Sequence, residues 1–225
     1  MIKGNILETI AAFPPGRVLD AGCGCGNFTV RLSEHCREIM AVDISASIIE
    51  RAKKENPKPN IIYRCMDATC LSFPDCHFDT VLERESLHHI ENWTAALSEM
   101  IRVASKYIIL EEPIDDLRSD SSRRTYTAQG LFLEIQREAR YSHYRHLEME
   151  ALRGYFDKSG LSYQYNITQS DKEISFDEFF ESFPLFAEKT GRPDYWHGRL
   201  KEFRESLNDT TLCESDRILM VAVKE

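Results

Sequence analysis

No stretch of this chain approaches the roughly 18–20 consecutive apolar residues that a membrane-spanning helix requires. Met1 to Gly16 lacks the cationic start and apolar run of a secretory signal, so the expectation is a cytoplasmic protein with no membrane partner. No two cysteines stand as C-x-x-C. The seven, Cys23, Cys25, Cys36, Cys65, Cys70, Cys76 and Cys213, are odd in number and scattered, which excludes a fully paired disulfide framework and suits reduced thiols. Cys65, Cys70, Cys76 and His77 are types that ligate zinc, but their spacing fits no structural zinc pattern; buried small side chains without a metal are expected instead. Positive charge is in deficit, 28 Lys and Arg against 37 Asp and Glu for a net charge of −9, the wrong sign for a surface that gathers phosphates, so no nucleic-acid partner is expected. Internal repeats and low-complexity tracts are absent too.

What is present is an ordinary globular composition. With 225 residues, 42% hydrophobic and 29% charged, the chain can bury a real core and favours one domain with elaborations over two equal halves. Short apolar runs alternate with amphipathic stretches through the first half, the signature of βαβ units and a parallel sheet. Strands are expected at Arg17–Asp20, Ile39–Asp43, Ile61–Cys65, Phe78–Leu82 and Tyr107–Leu110, each apolar enough to be covered on both faces. Helical spacing marks Gly4–Phe13, Asn27–Arg37, Ser45–Asn56 and Asn92–Val103, with Ser45 as an N-cap and a turn at Pro14-Pro15-Gly16. Beyond about Asp115 the pattern changes to a long charged helical region, a strand at Leu161–Thr168, an aromatic helical stretch over Ser175–Leu207 and a last strand at Arg217–Val223.

The strongest local signal is Val18-Leu19-Asp20-Ala21-Gly22-Cys23-Gly24-Cys25-Gly26-Asn27, with three alternate glycines between a strand and a helix. Such glycines let backbone approach a small ligand closely. A dinucleotide fingerprint needs its third glycine where this chain has Asn27. Asp20 also stands at the mouth of the turn, where a like charge about 6 Å from a diphosphate costs roughly 3 kcal/mol at an effective dielectric near 20. S-adenosylmethionine, with its ammonium and sulfonium, suits that carboxylate better. Asp43 ends the second strand near the ~20-residue offset at which an acidic side chain reaches ribose hydroxyls. Met66-Asp67-Ala68 ends the third, offering a carboxylate for an adenine amino group and a soft apolar contact for its ring. Each piece has a plainer reading as a tight connection or a helix-terminal charge; three carboxylates at three successive strand ends are harder to explain that way.

Together these segments resemble the class I S-adenosylmethionine-dependent methyltransferases, in particular the small-molecule group often called type 11, over roughly Arg17 to Pro113. Leu71-Ser72-Phe73-Pro74-Asp75, Phe78-Asp79-Thr80-Val81 and Leu87-His88-His89-Ile90 extend the likeness, while Arg102-Val103-Ala104-Ser105-Lys106-Tyr107 replaces the family's usual Pro-Gly-Gly. The resemblance implies an α/β, Rossmann-like fold: a seven-stranded, mostly parallel sheet with helices on both faces, its last strand antiparallel beside the fifth, and a helical insertion or lid. The core would be about 14–113, 161–168 and 216–225, with helical insertions at about 115–160 and 170–215. Cofactor contacts are expected from Asp20, Gly22, Gly24, Gly26, Asp43, Ile44, Met66, Asp67, Ala68 and Glu83.

The expected reaction is methyl transfer to a small acceptor, with an apolar or aromatic one suiting the phenylalanine-rich segment, by a monomer or homodimer. Positioning and water exclusion supply most of the rate, and a general base serves only reluctant nucleophiles. His88 and His89, just past the fourth strand, are the candidate base or substrate contacts, with backbone hydrogen bonding as the plainer role. Glu83, Glu85, Glu111 and Glu112 are surface charges or substrate anchors. His143 and His146, among Tyr141, Tyr144 and Arg145, read as a helix face or a group overhanging the pocket. The locally basic stretch from Arg118 to Arg153 reads as a solvated helix. Phe176, Phe179, Phe180, Phe183 and Phe186 form a stripe at helical spacing that is core, lid or dimer contact. Two other classes share these residues: a non-catalytic module that binds the cofactor, and a nicotinamide oxidoreductase, against which Asp20 and Asn27 argue.

Overall fold

Near-continuous apolar runs become interior strands because a parallel strand flanked by helices is covered on both faces. The computed structural model describes residues 2–14, 16–115, 117, 119–141, 143–144, 146–170 and 172–224; Pro15, Arg118 and Arg145 lie outside the described residues. Elements follow as α1 (Ile6–Ala11), β1 (Arg17–Ala21), α2 (Asn27–Leu32), β2 (Glu38–Asp43), α3 (Ala46–Glu55), β3 (Ile61–Cys65), β4 (Phe78–Arg84), α4 (Trp93–Val103) and β5 (Ala104–Ile114). Next come α5 (Asp120–Glu138), α6 (Met149–Ser159), β6 (Ser162–Thr168), β7 (Glu173–Ile174), α7 (Phe176–Phe179), α8 (Phe183–Lys189), α9 (Pro193–Ser206), β8 (Leu212–Cys213) and β9 (Asp216–Val223).

Seven strands form one sheet in the order β3-β2-β1-β4-β5-β9-β6, with β1 parallel to both β2 and β4, β2 to β3, and β4 to β5. Lys224, just past β9, donates its backbone N–H to Lys106 near the start of β5. A strand whose far end meets the beginning of its neighbour runs antiparallel to it. In β1 the residues Val18 to Ala21 are buried without alternation, whereas the edge strand β3 alternates and the opposite edge, β6, has no fully buried residue.

The chain forms two compact units, Met1–Glu112 with Met149–Ile167 and Ile218–Glu225, and Pro113–Glu148 with Thr168–Arg217. In the first, Ile6 and Ile10 of α1, Leu32 of α2 and Ile49 and Ala52 of α3 pack on Val18, Ile39, Ala41, Leu82 and Ile109 of the sheet. The α2 helix stops at Leu32, short of the expected Arg37, because the Ser33 hydroxyl turns back to the Val30 carbonyl at 2.7 Å and competes with the next helical turn. At the missing Pro-Gly-Gly, the chain passes from α4 into β5 within one residue, Ala104. The Lys224 ammonium caps this helix end, donating to the Ile101 and Ala104 carbonyls at 2.9 and 3.0 Å.

In the second unit the phenylalanine stripe is core packing. Phe176, Phe180, Phe183, Phe186 and Trp196 are buried together with Leu131 and Ile135 of α5, and Phe132 packs against them. Phe183 is fully buried, its ring edge-on to Trp196 at 6.3 Å. Phe183→Ala should therefore cost about 3–5 kcal/mol of this unit's stability. Urea melts followed by Trp196 fluorescence in a Trp93→Phe background measure the loss; an unchanged midpoint would show that the stripe does not hold the unit together.

His143 and His146 lie in the non-helical segment between α5 and α6. His143 Nδ1 is 2.9 Å from Gln136 Oε1 and His146 Nδ1 is 3.0 Å from Asp115 Oδ1. Cys65, Cys70 and Cys76 are exposed rather than buried, and His77 is stacked on Phe73. No helix among the described residues is long and apolar enough to cross a membrane.

Candidate active site

The turn after β1 is built from three glycines in the left-handed region, with φ of 82° at Gly22, 53° at Gly24 and 83° at Gly26. The glycines are needed for two different reasons. A Cβ on Gly22 would lie 2.2 Å from Ser86 Oγ, and one on Gly26 would lie 2.4 Å from the Tyr63 hydroxyl, so the protein's own packing demands both. Among the described residues, a Cβ on Gly24 meets nothing within 4 Å. The protein leaves that space open at a close backbone approach, as a ligand cradle requires.

The turn is stapled to β2. The Val42 carbonyl accepts from the N–H groups of Gly22 and Cys23, at 2.8 and 2.9 Å. Asp43 Oδ2 accepts from Gly24 N at 3.1 Å and Oδ1 from Ser45 N at 2.9 Å, so this carboxylate sits at the cradle with lone pairs to spare. Beside it Ile44 is 69% exposed, an apolar side chain left uncovered at the same strand end. Met66 N donates to the Asp43 carbonyl at 2.9 Å, bringing the end of β3 to the same place. Asp67 is exposed, its Oδ1 accepting from the N–H and hydroxyl of Thr69 in a local turn, and Ala68 follows it, half-buried. Arg102 of α4 fixes the following loop through the carbonyls of Leu71 and Phe73, both at 2.8 Å.

Asp20 lies beneath the turn and is buried. Thr29 donates to its Oδ2 at 2.6 Å, and burial above all pushes its pKa up from 3.8 to about 6, the nearby Glu83 adding to the effect. Because the folded form binds the proton more tightly, folding stability falls as pH rises through the window from about 4 to about 6. The loss is on the order of 3 kcal/mol once the pH is above it. Asp20→Asn keeps an acceptor for Thr29 and carries no charge. Its stability advantage over the native chain should grow between pH 4 and 6 and then level off, as read from urea midpoints; a difference independent of pH would contradict this.

Past β4 the chain turns sharply. Glu85 takes a left-handed conformation, φ 54°, uncommon without a glycine and strained. The turn aims the N–H groups of Ser86 and Leu87 at two carboxylates. Glu83 Oε1 accepts from them at 2.6 and 3.1 Å, and from the Ser86 hydroxyl at 2.8 Å; Glu112 Oε1 accepts from the same two N–H groups at 2.7 and 2.9 Å. Glu83 and Glu112, read from sequence as surface charges or anchors, are in fact 1% and 0% exposed. Burial first, then the charge of Glu112, hold the Glu83 carboxyl well above the usual range, and burial raises Glu112 as well. His88 is buried on the short 3-10 helix Leu87–His89, its Nδ1 2.7 Å from Glu112 Oε2. His89 is exposed, its ring 4.2 Å from that of His88. Arg84 stacks over Phe28 at 4.9 Å and donates to Glu111 Oε2 at 2.6 Å.

The structure thus gathers expected residues into two groups: Gly24, Asp43, Ile44 and Met66 at the cradle, and Gly22, Glu83, Glu112 and His88 around Ser86 and the turn after β4. Ser86, Arg102 and Tyr63 were not foreseen. A charged residue inside the apolar run of β4 was the one available signal, because a carboxylate in a strand covered on both faces has to be buried and paired.

Residues 19–107 match the family model described as Methyltransferase domain. An uncharacterized methyltransferase of Mycobacterium bovis is 36% identical over 95 residues, 42% of this chain and 48% of that protein. A demethylmenaquinone methyltransferase of Beutenbergia cavernae is 32% identical over 97 residues, 43% of this chain and 40% of that one. The chain spans about half the length of these curated relatives or less. The crystal structure of the YcgJ protein of Bacillus subtilis has the same fold, with a TM-score of 0.74 at 20% identity over 98% of this chain and 96% of that one. The match to the methyltransferase domain model thus falls on the segment that carries the glycine turn and the first four strands, and the fold of the chain is Rossmann-like α/β.

Proposed function

We propose that the chain is an enzyme that transfers a methyl group from S-adenosylmethionine to a small-molecule acceptor. The observation that carries this reading is Gly24: its left-handed backbone is stapled to Asp43 at the carboxyl edge of the sheet, and no atom of the described residues lies within 4 Å of where a Cβ would stand. The residues present fit the cofactor's chemistry. Asp43 has lone pairs for vicinal ribose hydroxyls, Asp67 for an adenine amino group, and Ile44, Met66 and Ala68 offer apolar surface for the ring. Gly22, Gly24 and Gly26 admit the chain of the amino acid. Asp20 and Glu83 act from beneath, one placing negative potential under the turn and the other holding Ser86 against it.

When bound, S-adenosylmethionine supplies a sulfonium methyl already activated toward nucleophiles. The chain then has to orient the acceptor, exclude water and, for a protic acceptor, take up a proton, the role assigned to His88 with His89 as a neighbouring contact. The relatives' names support small organic acceptors, and the net charge of −9 supports a surface that does not engage nucleic acid. Free thiols throughout suit a reducing, cytoplasmic setting.

Transfer of labelled methyl from S-adenosylmethionine to a panel of phenols, hydroxy compounds, amines and quinols tests the proposal. Turnover with at least one acceptor is expected. Tight cofactor binding with no turnover on the panel, together with stable pairing to another subunit, would instead mark a non-catalytic binding module.

A further inference from the structure

Glu83 and Glu112 are both buried, and both take their hydrogen bonds from the same two donors. The Ser86 and Leu87 N–H groups reach Glu83 Oε1 at 2.6 and 3.1 Å and Glu112 Oε1 at 2.7 and 2.9 Å. Two oxygens that share two donors at these distances cannot be far apart, and a pair of carboxylate charges so placed away from water is a state the interior resists. One proton on the pair turns that repulsion into a carboxyl–carboxylate hydrogen bond. Glu83 is the member that keeps it. Its Oε2 is buried and meets no donor among the described residues, so an ionised Glu83 would place charge on an unsatisfied atom. Burial first, then the charge of Glu112, then the hydrogen bond between the two side chains all favour the proton on Glu83. On Glu112 burial raises the carboxyl, but that same hydrogen bond and the N–H groups of the turn lower it.

Ser86 ties this pair to the glycine turn. Its Oγ lies 2.8 Å from Glu83 Oε1 and 3.2 Å from the Ala21 carbonyl, and it fills the place where a Cβ on Gly22 would stand. The charged groups around the pair are Asp20 on β1, whose carboxyl feels the charge of Glu83, Arg84 on β4, which donates to Glu111 at 2.6 Å and Glu85 at 3.2 Å, and His88, whose Nδ1 is 2.7 Å from Glu112 Oε2. Glu83 Oε2 accepts from none of them. We infer that Glu83 is a positioning residue that works only as the neutral acid: with its proton it holds Ser86 against Gly22 and keeps the glycine turn in the form that takes the cofactor, and without it the two carboxylates part and the turn is released. The identity of that cofactor rests on the methyl-transfer reading of the same site; the proton on Glu83 does not. The ready form binds this proton more tightly than the released form, so it is favoured below the raised pKa of Glu83 and lost as pH rises through it. With one proton linked to binding, affinity should fall by roughly tenfold for each pH unit above that point.

Infrared spectra of the 13C-glutamate-labelled apo chain read the proton directly. At neutral pH, where exposed glutamates are ionised, the native chain should show the carbonyl band of a protonated glutamic acid, fading as the solution is made alkaline and missing in Glu83→Gln. A native chain without that band would overturn the inference whether or not any variant folds, as would a band that survives in Glu83→Gln. Calorimetric titration with S-adenosylhomocysteine from neutral to alkaline pH reads the consequence. Asp20, its carboxyl at about 6, is largely ionised throughout that range, and the ligand's own ammonium titrates alike for every chain, so the difference between native and Glu83→Gln isolates Glu83. Native affinity should fall over the range by at least about tenfold more than that of Glu83→Gln, whose amide cannot ionise. Parallel profiles for the two chains would contradict the positioning role. Failure of the native chain to bind S-adenosylhomocysteine at any pH would sink the methyl-transfer reading instead, with the proton on Glu83 decided by the infrared band.

Discussion

Gly24→Ala is expected to cut affinity for S-adenosylmethionine by about 100-fold or more, roughly 2.7 kcal/mol, while the fold survives. The survival follows from the open space: an added methyl meets no atom of the described residues within 4 Å, so the cost is the left-handed backbone at φ 53°, about 1–2 kcal/mol. The lost affinity follows from the same space, because the methyl occupies the volume that the backbone leaves for a ligand. Gly22→Ala separates the two effects. Its methyl would fall 2.2 Å from Ser86 Oγ, and Ser86 is tied to the Ala21 carbonyl at 3.2 Å and to Glu83 at 2.8 Å. That substitution should damage stability and binding together. Thermal melts and calorimetry on both variants check the pair; a Gly24→Ala chain that binds normally would remove the turn from the cofactor site.

His88→Ala is expected to lower kcat by about 10²–10⁴-fold with cofactor affinity nearly unchanged. The ring is buried and held by Glu112 outside the Gly24–Asp43 cradle, so its removal should leave cofactor binding untouched while withdrawing the proton acceptor. His89→Ala should have a smaller effect, because that ring is exposed. Unaltered turnover in both variants would take the histidines out of the reaction.

The strands and the cradle were legible in the sequence because their signals are local. Val18 to Ala21 is apolar without alternation, Ser45 caps α3 as its side chain suggests, and the glycines, Asp20 and Asp43 sit at strand ends that the alternating pattern locates. The Glu83–Glu112–His88 group was not legible, because it is assembled by register. The β4–β5 pairing sets Glu83 opposite Leu110 and Arg84 opposite Glu111, which brings Glu112 to the turn after β4. A run of two glutamates at a strand end looks like surface charge until a neighbouring strand shows what it faces. The phenylalanine stripe was legible as helical and as a core face, but its partners were not, since Leu131, Phe132 and Ile135 lie on a helix far away in the chain. Likewise nothing local announced that Lys224 would cap α4 in place of a glycine turn.

Isothermal titration of the purified apo chain with S-adenosylhomocysteine and, separately, with NADH asks most directly whether the glycine turn and its carboxylates hold a cationic sulfur nucleoside and its product. Heat of binding with S-adenosylhomocysteine, lost in Gly24→Ala, and none with NADH is the predicted result. Binding of NADH with silence toward S-adenosylhomocysteine would contradict it.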